Sequence, residues 1–264
     1  MLIKLKFYLL AALILANFSF ARAQSPYELS SVNDAAIFGA AVVAGGSAFL
    51  INSNIPGLSE EEINNLNTDD IFAIDRFATN YYSPELSDLS DIFVYTLVAS
   101  PALLAFSPEI RNDYMTVGTM YAQTIIFATA LPYIAKGIVQ RTRPFVYNPN
   151  APMSAKQEPE ARRSFFSGHT TVAFASAVFL SKVYSDYYPD SKYSPYVWGG
   201  SLLAATTVGA LRIFSGKHFP TDVLVGAVVG SAIGWFIPEL HKNKTDDNMS
   251  FGAGFMGLSF AYKF

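Results

Sequence analysis

The stretch Arg212-Ile-Phe-Ser-Gly-Lys-His218-Phe-Pro-Thr-Asp222 joins two long uncharged apolar runs, Tyr193–Leu211 and Val223–Pro238. Pro220 is suited to the first turn of a helix, where its missing N–H costs nothing. The second run therefore reads as a helix opening near Pro220, and the first as a helix closing near Arg212. Outward from this junction the pattern repeats in Ala35–Ile51, Ile92–Pro108, Tyr114–Ala135 and Ser164–Ser181. Most of the runs approach the roughly 17–25 residues that cross a bilayer. Small residues are dense within them, as in Ala40-Ala-Val-Val-Ala-Gly-Gly46 and Gly226-Ala-Val-Val-Gly230, and such residues let membrane helices approach closely. A soluble helix normally carries a charged outer face, and none of these runs does. The pattern predicts an all-α bundle of about six helices, transmembrane rather than a soluble bundle of buried helices.

Composition agrees. Of the 264 residues, 51% are hydrophobic and only 15% charged, against roughly 25% charged in soluble domains. The net charge of −3 and pI near 5.6 argue against a nucleic-acid partner, which leaves a basic footprint. The absence of cysteine excludes disulfides, thiolate metal sites and cysteine nucleophiles. Histidine chemistry is confined to His169, His218 and His241.

The start of the chain reads as an export signal over residues 1–23. Lys4 and Lys6 precede the uncharged stretch Phe7–Phe20, and Ala21-Arg22-Ala23 supplies a cleavage pattern; the alternative is an uncleaved anchor. Residues 24–91 read as an N-terminal helix followed by an amphipathic segment, in which Ser59 and Glu62 form a capping box. Asp75-Arg76 reads as an ion pair or interfacial feature. Residues 92–240 read as a catalytic helical core and 241–264 as a polar linker with a tail. In that tail Leu258, Phe260, Tyr262 and Phe264 alternate, which predicts a short C-terminal β-hairpin.

Three junctions concentrate functional groups: Lys136-Gly-Ile-Val-Gln-Arg-Thr-Arg143-Pro144, Ser167-Gly168-His169, and the stretch from Arg212 to Asp222. Lys136, Arg143 and Arg212 supply fixed positive charge, and arginine suits bidentate contact with phosphate. Ser167 stands where a helix N-cap would, and Gly168 lets an anion approach the backbone N–H groups behind it. His218 and Asp222 are four apart on one helical face, so the carboxylate is expected to hold one imidazole nitrogen while the other attacks phosphorus. His169 is then the general acid for the leaving alkoxide. Arg141, Arg162, Arg163 and Lys217 read as secondary phosphate contacts or ordinary surface charge. His241, in a polar stretch, reads as solvated.

These junctions resemble the three signature motifs of the type 2 phosphatidic acid phosphatase superfamily, which includes bacterial acid phosphatases and vanadium haloperoxidases. The first motif is matched by Lys136, Arg143 and Pro144. The second is matched by Ser167-Gly168-His169, with Phe166 in place of proline. The third is matched by Arg212, His218 and Asp222, with Leu211 in place of serine. The resemblance, over about Ile92 to Pro238, implies a phosphohistidine formed on His218, protonation of the leaving group by His169, and phosphate binding by Lys136, Arg143, Ser167, Gly168 and Arg212, with no metal and no cofactor. The expected enzyme is a phosphatase of phosphomonoesters or diphosphates, with a phosphorylated lipid or a small phosphate ester as substrate. The alternatives are a soluble-type periplasmic acid phosphatase and a non-catalytic membrane bundle that binds anions. The expected place is the cell envelope of a bacterium, in the membrane with an extracytoplasmic active site. A translocated N-terminus followed by six crossings would put the junctions in the cytoplasm, so that reading requires the first run to stop short or the bundle to be periplasmic.

Overall fold

The computed structural model describes residues 25–243 and, beyond them, residues 249–254 and 257–262. The expected export signal, residues 1–23, lies outside the described residues. Nine α-helices are present among the described residues. Six are long: α1 (Ser31–Asn52), α3 (Pro84–Ala99), α5 (Tyr114–Val139), α7 (Gly168–Tyr187), α8 (Ser194–Phe214) and α9 (Pro220–Leu240). Three are short: α2 (Glu60–Asn64), α4 (Pro108–Asn112) and α6 (Met153–Lys156). The capping box at the start of α2 is formed as expected, with both the Ser59 and the Glu62 side chain engaged. Of the tail, Met249–Gly254 and Gly257–Tyr262 are described only as a backbone pairing, antiparallel from Met249↔Tyr262 to Gly254↔Gly257. The rest of the expected hairpin lies outside the described residues.

The six long helices run alternately up and down, with α7 at the centre packed against α9, α8, α5 and α3. Small residues permit this. A Cβ built on Gly226, Gly230 or Gly234, spaced four apart on α9, would come within 2.7 Å of Ser167 O, 2.2 Å of Thr171 O or 2.4 Å of Ala175 O. The bare face of α9 therefore lies directly on the backbone of α7. Phe179, Val183, Met120 and Ile237 close one part of the core, and Ala173, Ala177, Ala205 and Val208 another.

Among the described residues, five segments are long and apolar enough to cross a membrane: α1, α3 with its 3-10 continuation to Phe106, α5, α8 and α9. Their outward faces expose large apolar side chains, including Val42, Phe49, Tyr95, Leu203, Leu224 and Phe236. A soluble surface rarely carries so much contiguous apolar area; a lipid-facing one does. Helix α7 is not among the five, because its Thr, Ser, Lys and Asp residues make it less apolar; more than half its residues are buried among the others.

Tyr27 and Lys242 mark one end of the bundle, here the terminal end, and the motifs lie at the other. Tyr27 forms an isolated bridge with Lys242 just beyond α9, and Glu28 N donates to His241 O at 2.8 Å. The three motifs lie where α5 and α8 end and where α7 and α9 begin. Helix α1 traverses the whole bundle, since Asn52 Nδ2 at its far end donates to Tyr133 O on α5 at 2.8 Å. The first run therefore does not stop short.

Candidate active site

The third-motif loop owes its shape to Gly216. Its φ of +74° suits glycine, and an added Cβ would lie 2.1 Å from Tyr81 O. The loop folds back on α8, with the N–H groups of Lys217 and His218 donating to Arg212 O at 3.1 Å. His218 is thereby fully buried. Its Nδ1 lies 2.8 Å from Ser164 O, and its Nε2 is buried without a hydrogen-bond partner. A carbonyl can only accept, so Nδ1 carries the proton and Nε2 keeps its lone pair.

The expected bond between Asp222 and His218 is absent. Their closest approach, Asp222 Oδ2 to His218 Nδ1, is 3.8 Å. Asp222 instead accepts from Ser164 Oγ at 2.6 Å, Phe219 N at 2.9 Å and Arg141 Nη1 at 2.6 Å. It acts on the imidazole through Ser164, whose carbonyl holds the ring. Four-residue spacing put the two side chains on one side, but the extended Phe219 at the N-cap leaves them short of hydrogen-bond distance.

Ser167 caps α7 as expected, accepting from Thr170 N at 3.4 Å. Lys136 is buried and hangs over this turn, its Nζ 3.7 Å from where a Cβ on Gly168 would stand. Arg143 is pinned by Glu160 through Nε to the backbone carbonyl at 2.8 Å and Nη2 to the carboxylate at 2.7 Å. Arg212 is buried on α8, with Nη1 donating to Ser87 and Ser90 at 3.1 and 3.0 Å and its Nε unpartnered.

Lys136, Arg143, Gly168, His169, Arg212 and His218 all line one cavity of about 560 Å³. Ser167 and Asp222 stand behind it. The cavity continues between α3 and α5 along Val94, Tyr95, Val98, Ala128 and Thr129.

Asp91, which sequence reading missed, also lines the cavity and holds His169 Nε2 at 2.8 Å. Ser87, Ser90 and Asp91 lie in the polar opening turns of α3, before the apolar run begins at Ile92. The polar spacing at 87, 90 and 91 is that of one helical face and was the signal available.

Burial, then the positive charge of Arg143, Arg212 and Lys136, holds the His218 imidazole well below its ordinary range. Burial, then Arg212 and Lys136, pushes His169 down to about 3. With only protein charges around them both rings are neutral, in a concave site where Lys136, Arg143, Arg212 and Lys217 outnumber the carboxylates of Asp91, Glu158 and Glu160 by one. Such a site favours an anionic group.

Three other residues depart from their sequence reading. His241 is buried, not solvated, with Nδ1 2.8 Å from Ile237 O and Nε2 2.9 Å from Asp34. Asp75 does not pair with Arg76, which reaches Asp69 at 3.4 Å; it pairs with Arg141 at 2.8 Å. Arg141 is committed to Asp75 and Asp222 and does not line the cavity.

Residues 115–246, half of the chain, match the PAP2 superfamily. The chain is similar to the bacitracin transport permease protein BcrC of Bacillus licheniformis, 28% identical over 155 residues, which cover 59% of this chain and 70% of that protein. It is similar to the lipid A 4'-phosphatase of Porphyromonas gingivalis, 31% identical over 77 residues that span 29% of each chain. The crystal structure of Aquifex aeolicus LpxE is similar with a TM-score of 0.45 and 26% identity, covering 64% of this chain and 96% of that one.

Proposed function

We propose, from the premise that the chain belongs to the PAP2 superfamily and is a phosphatase, that it removes phosphate from a lipid-linked phosphomonoester or diphosphate in the membrane of the bacterial envelope. The observation that carries the lipid reading is the shape of the catalytic cavity. It runs from His218 and the cations into an apolar groove between α3 and α5, both within segments able to cross a membrane. A small hydrophilic ester would leave that groove unfilled, whereas an acyl or prenyl chain would occupy it while its phosphate met Lys136, Arg143 and Arg212.

In the proposed reaction His218 Nε2 attacks phosphorus, forming an N–P bond as the P–O bond to the lipid breaks. The proton for the departing oxygen comes with the monoanionic substrate and is passed on through neutral His169. Water then attacks the phosphohistidine, His169 takes its proton, and inorganic phosphate leaves as His218 Nε2 is restored. The cations, with the N–H groups behind Gly168, meet the charge that grows on the equatorial oxygens, where such preorganised donors act most strongly. The chemistry asks for no metal.

A phosphate-release panel with purified protein tests this: phosphatidate, phosphatidylglycerol phosphate, undecaprenyl diphosphate, lipid A and p-nitrophenyl phosphate, with and without chelator. Turnover of a lipid and weak turnover of p-nitrophenyl phosphate are expected, unchanged by chelator. Turnover of p-nitrophenyl phosphate alone would favour the soluble-type alternative, and strong inhibition by chelator would overturn the metal-free mechanism.

An extracytoplasmic site, the proposed orientation, requires Tyr27 and Lys242 at the cytoplasmic end and therefore an N-terminal stretch that is not translocated. The cysteine-free chain makes the test direct. A single cysteine at exposed Asn150 near the site should react with an impermeant maleimide in intact spheroplasts, and one at exposed Asp190 at the opposite end should not. The reverse labelling would place the site in the cytoplasm. The tail from 249 to 264 is proposed to be an accessory hairpin with no catalytic part.

A further inference from the structure

Asp75 precedes the matched region by forty residues, does not line the cavity, and is fully buried. A buried carboxylate is costly unless its oxygens are satisfied, and here every bond it makes is to the machinery behind His218. Oδ1 accepts from Thr221 N at 3.0 Å. Oδ2 accepts from Thr221 Oγ1 at 2.6 Å and from Arg141 Nη2 at 2.8 Å. Arg141, stacked 4.1 Å above the Phe219 ring, passes the contact on through Nη1 to Asp222 Oδ1 at 2.6 Å. Asp222 Oδ2 holds Ser164 Oγ at 2.6 Å, and Ser164 O holds His218 Nδ1 at 2.8 Å.

We propose that Asp75 is a positioning residue for the nucleophile: by clamping Thr221 and Arg141 it fixes the start of α9 and, along the chain Arg141–Asp222–Ser164, the orientation of His218 Nε2. This rests on the reading of His218 as nucleophile.

The geometry separates this role from simple packing. Thr221 N is one of the first N–H groups of α9, which have no partner within the helix. Asp75 supplies one from a distant part of the chain, adding negative charge at the positive end of the helix dipole. Asp75 and Asp222 share one guanidinium from two sides, so loss of either frees Arg141 to turn. The segment is also seated mechanically, since Ala78 and Ile71 pack on Phe219, Ser83 N donates to Ser215 O at 3.3 Å, and Asn148 Nδ2 donates to Thr79 O at 3.0 Å. The stretch between α1 and α3, outside the family's motifs, thus forms the rear wall of the catalytic loop.

Asp75→Asn keeps the volume but places an amide where three donors converge. It is expected to lower kcat about 10- to 100-fold, the scale of a small displacement of a reacting group, while KM changes less than about threefold because the cations are untouched. Asp75→Glu should restore part of the loss. Thr221→Val combined with Asp75→Asn should cost less than the sum of the two, as coupled neighbours do. Independently of turnover, 15N-histidine NMR of detergent-solubilised protein should show the His218 ring signals displaced in Asp75→Asn while those of His241 stay in place. Unchanged kcat in the folded fraction with unmoved His218 signals would overturn the proposal. If the unsubstituted protein hydrolyses nothing in the substrate panel, the phosphatase reading has failed, and the NMR arm still decides whether Asp75 positions His218.

Discussion

The two ends of the helix bundle both bury charged side chains, and they differ in what those charges meet. At the terminal end every such group has a protein partner. His241 spends both ring nitrogens on Ile237 O and Asp34, while Asp34 also accepts from Gln123 at 2.7 Å. Lys182 lies between Asp186 at 2.9 Å and Glu239 at 2.8 Å and above the Trp235 ring at 4.5 Å. At the motif end Lys136, Arg212 and His218 are just as buried, yet His218 Nε2 and Arg212 Nε have no partner. Burial alone therefore does not mark the site. A buried polar group is costly when left unsatisfied, so a cluster of unpaired groups around one cavity is a place where a ligand is meant to complete the set.

The sharpest way to break this comparison is to remove one histidine from each end. His218→Ala is expected to reduce kcat by at least about 10⁴-fold, as loss of a covalent nucleophile does, with the protein still folded. His241→Ala should leave kcat within about threefold but lower stability by about 1–3 kcal/mol, because Asp34 loses a buried partner. Kinetics and thermal unfolding in detergent read the two effects; equal catalytic losses would erase the distinction.

Arg212→Ala is expected to cost about 10²–10³-fold in kcat, the scale of a lost charge-stabilising donor. It should also remove one binding contact for vanadate, measured by inhibition. An Arg212→Ala enzyme with unaltered kcat would show that the unpaired Nε faces nothing the reaction uses.

The pH dependence follows from the two depressed imidazoles. His218 stays neutral, and so nucleophilic, well below pH 6.5, which places the acidic limb of activity below that value. Neutral His169 has no surplus proton to give in this range, since the one on its Nε2 is held by Asp91, so the proton must arrive on the substrate. For a phosphomonoester whose second ionisation lies at about 6, kcat/KM should fall as pH rises above 6 and hold level down to about pH 5. An optimum near pH 8 would contradict this assignment.

The smallest expected effect is that of Gly168→Ala. The new Cβ would stand 3.7 Å from Lys136 Nζ, an ordinary contact, so the fold should tolerate it. It would crowd the space for a phosphate oxygen, and KM should rise a few-fold in a substrate titration.

Much of this organisation was legible in the order of residues. The six apolar runs located the six long helices, because a run without charge that is long enough to span lipid has few other ways to satisfy its backbone. Pro220, Ser167 and the Ser59–Glu62 pair marked helix starts through local chemistry that acts within four residues. What was misread depended on contacts far apart in sequence. His241 looked solvated because its neighbours are polar, yet its partner Asp34 lies at the other end of the chain. Asp75 looked paired to Arg76 beside it, yet its partners are Arg141 and Thr221. Asp91 was passed over because it falls just before an apolar run, although folding turns it toward His169.

By itself the sequence determined the elements and the set of reactive groups: six apolar runs, three junctions, and the residues that bring positive charge and imidazole to them. These follow from hydrophobicity, helix-terminus chemistry and residue identity, all of which are local. Only the tertiary structure decided how the groups are partnered. It set Ser164 O, not Asp222, on the His218 ring and drew Asp75 in behind it. It also left Nε2 of His218 open to a cavity that leads on between two lipid-facing helices. Partnering is a matter of distance between parts of the chain that the glycine face of α9 and the packing around α7 bring together, and no local pattern records it.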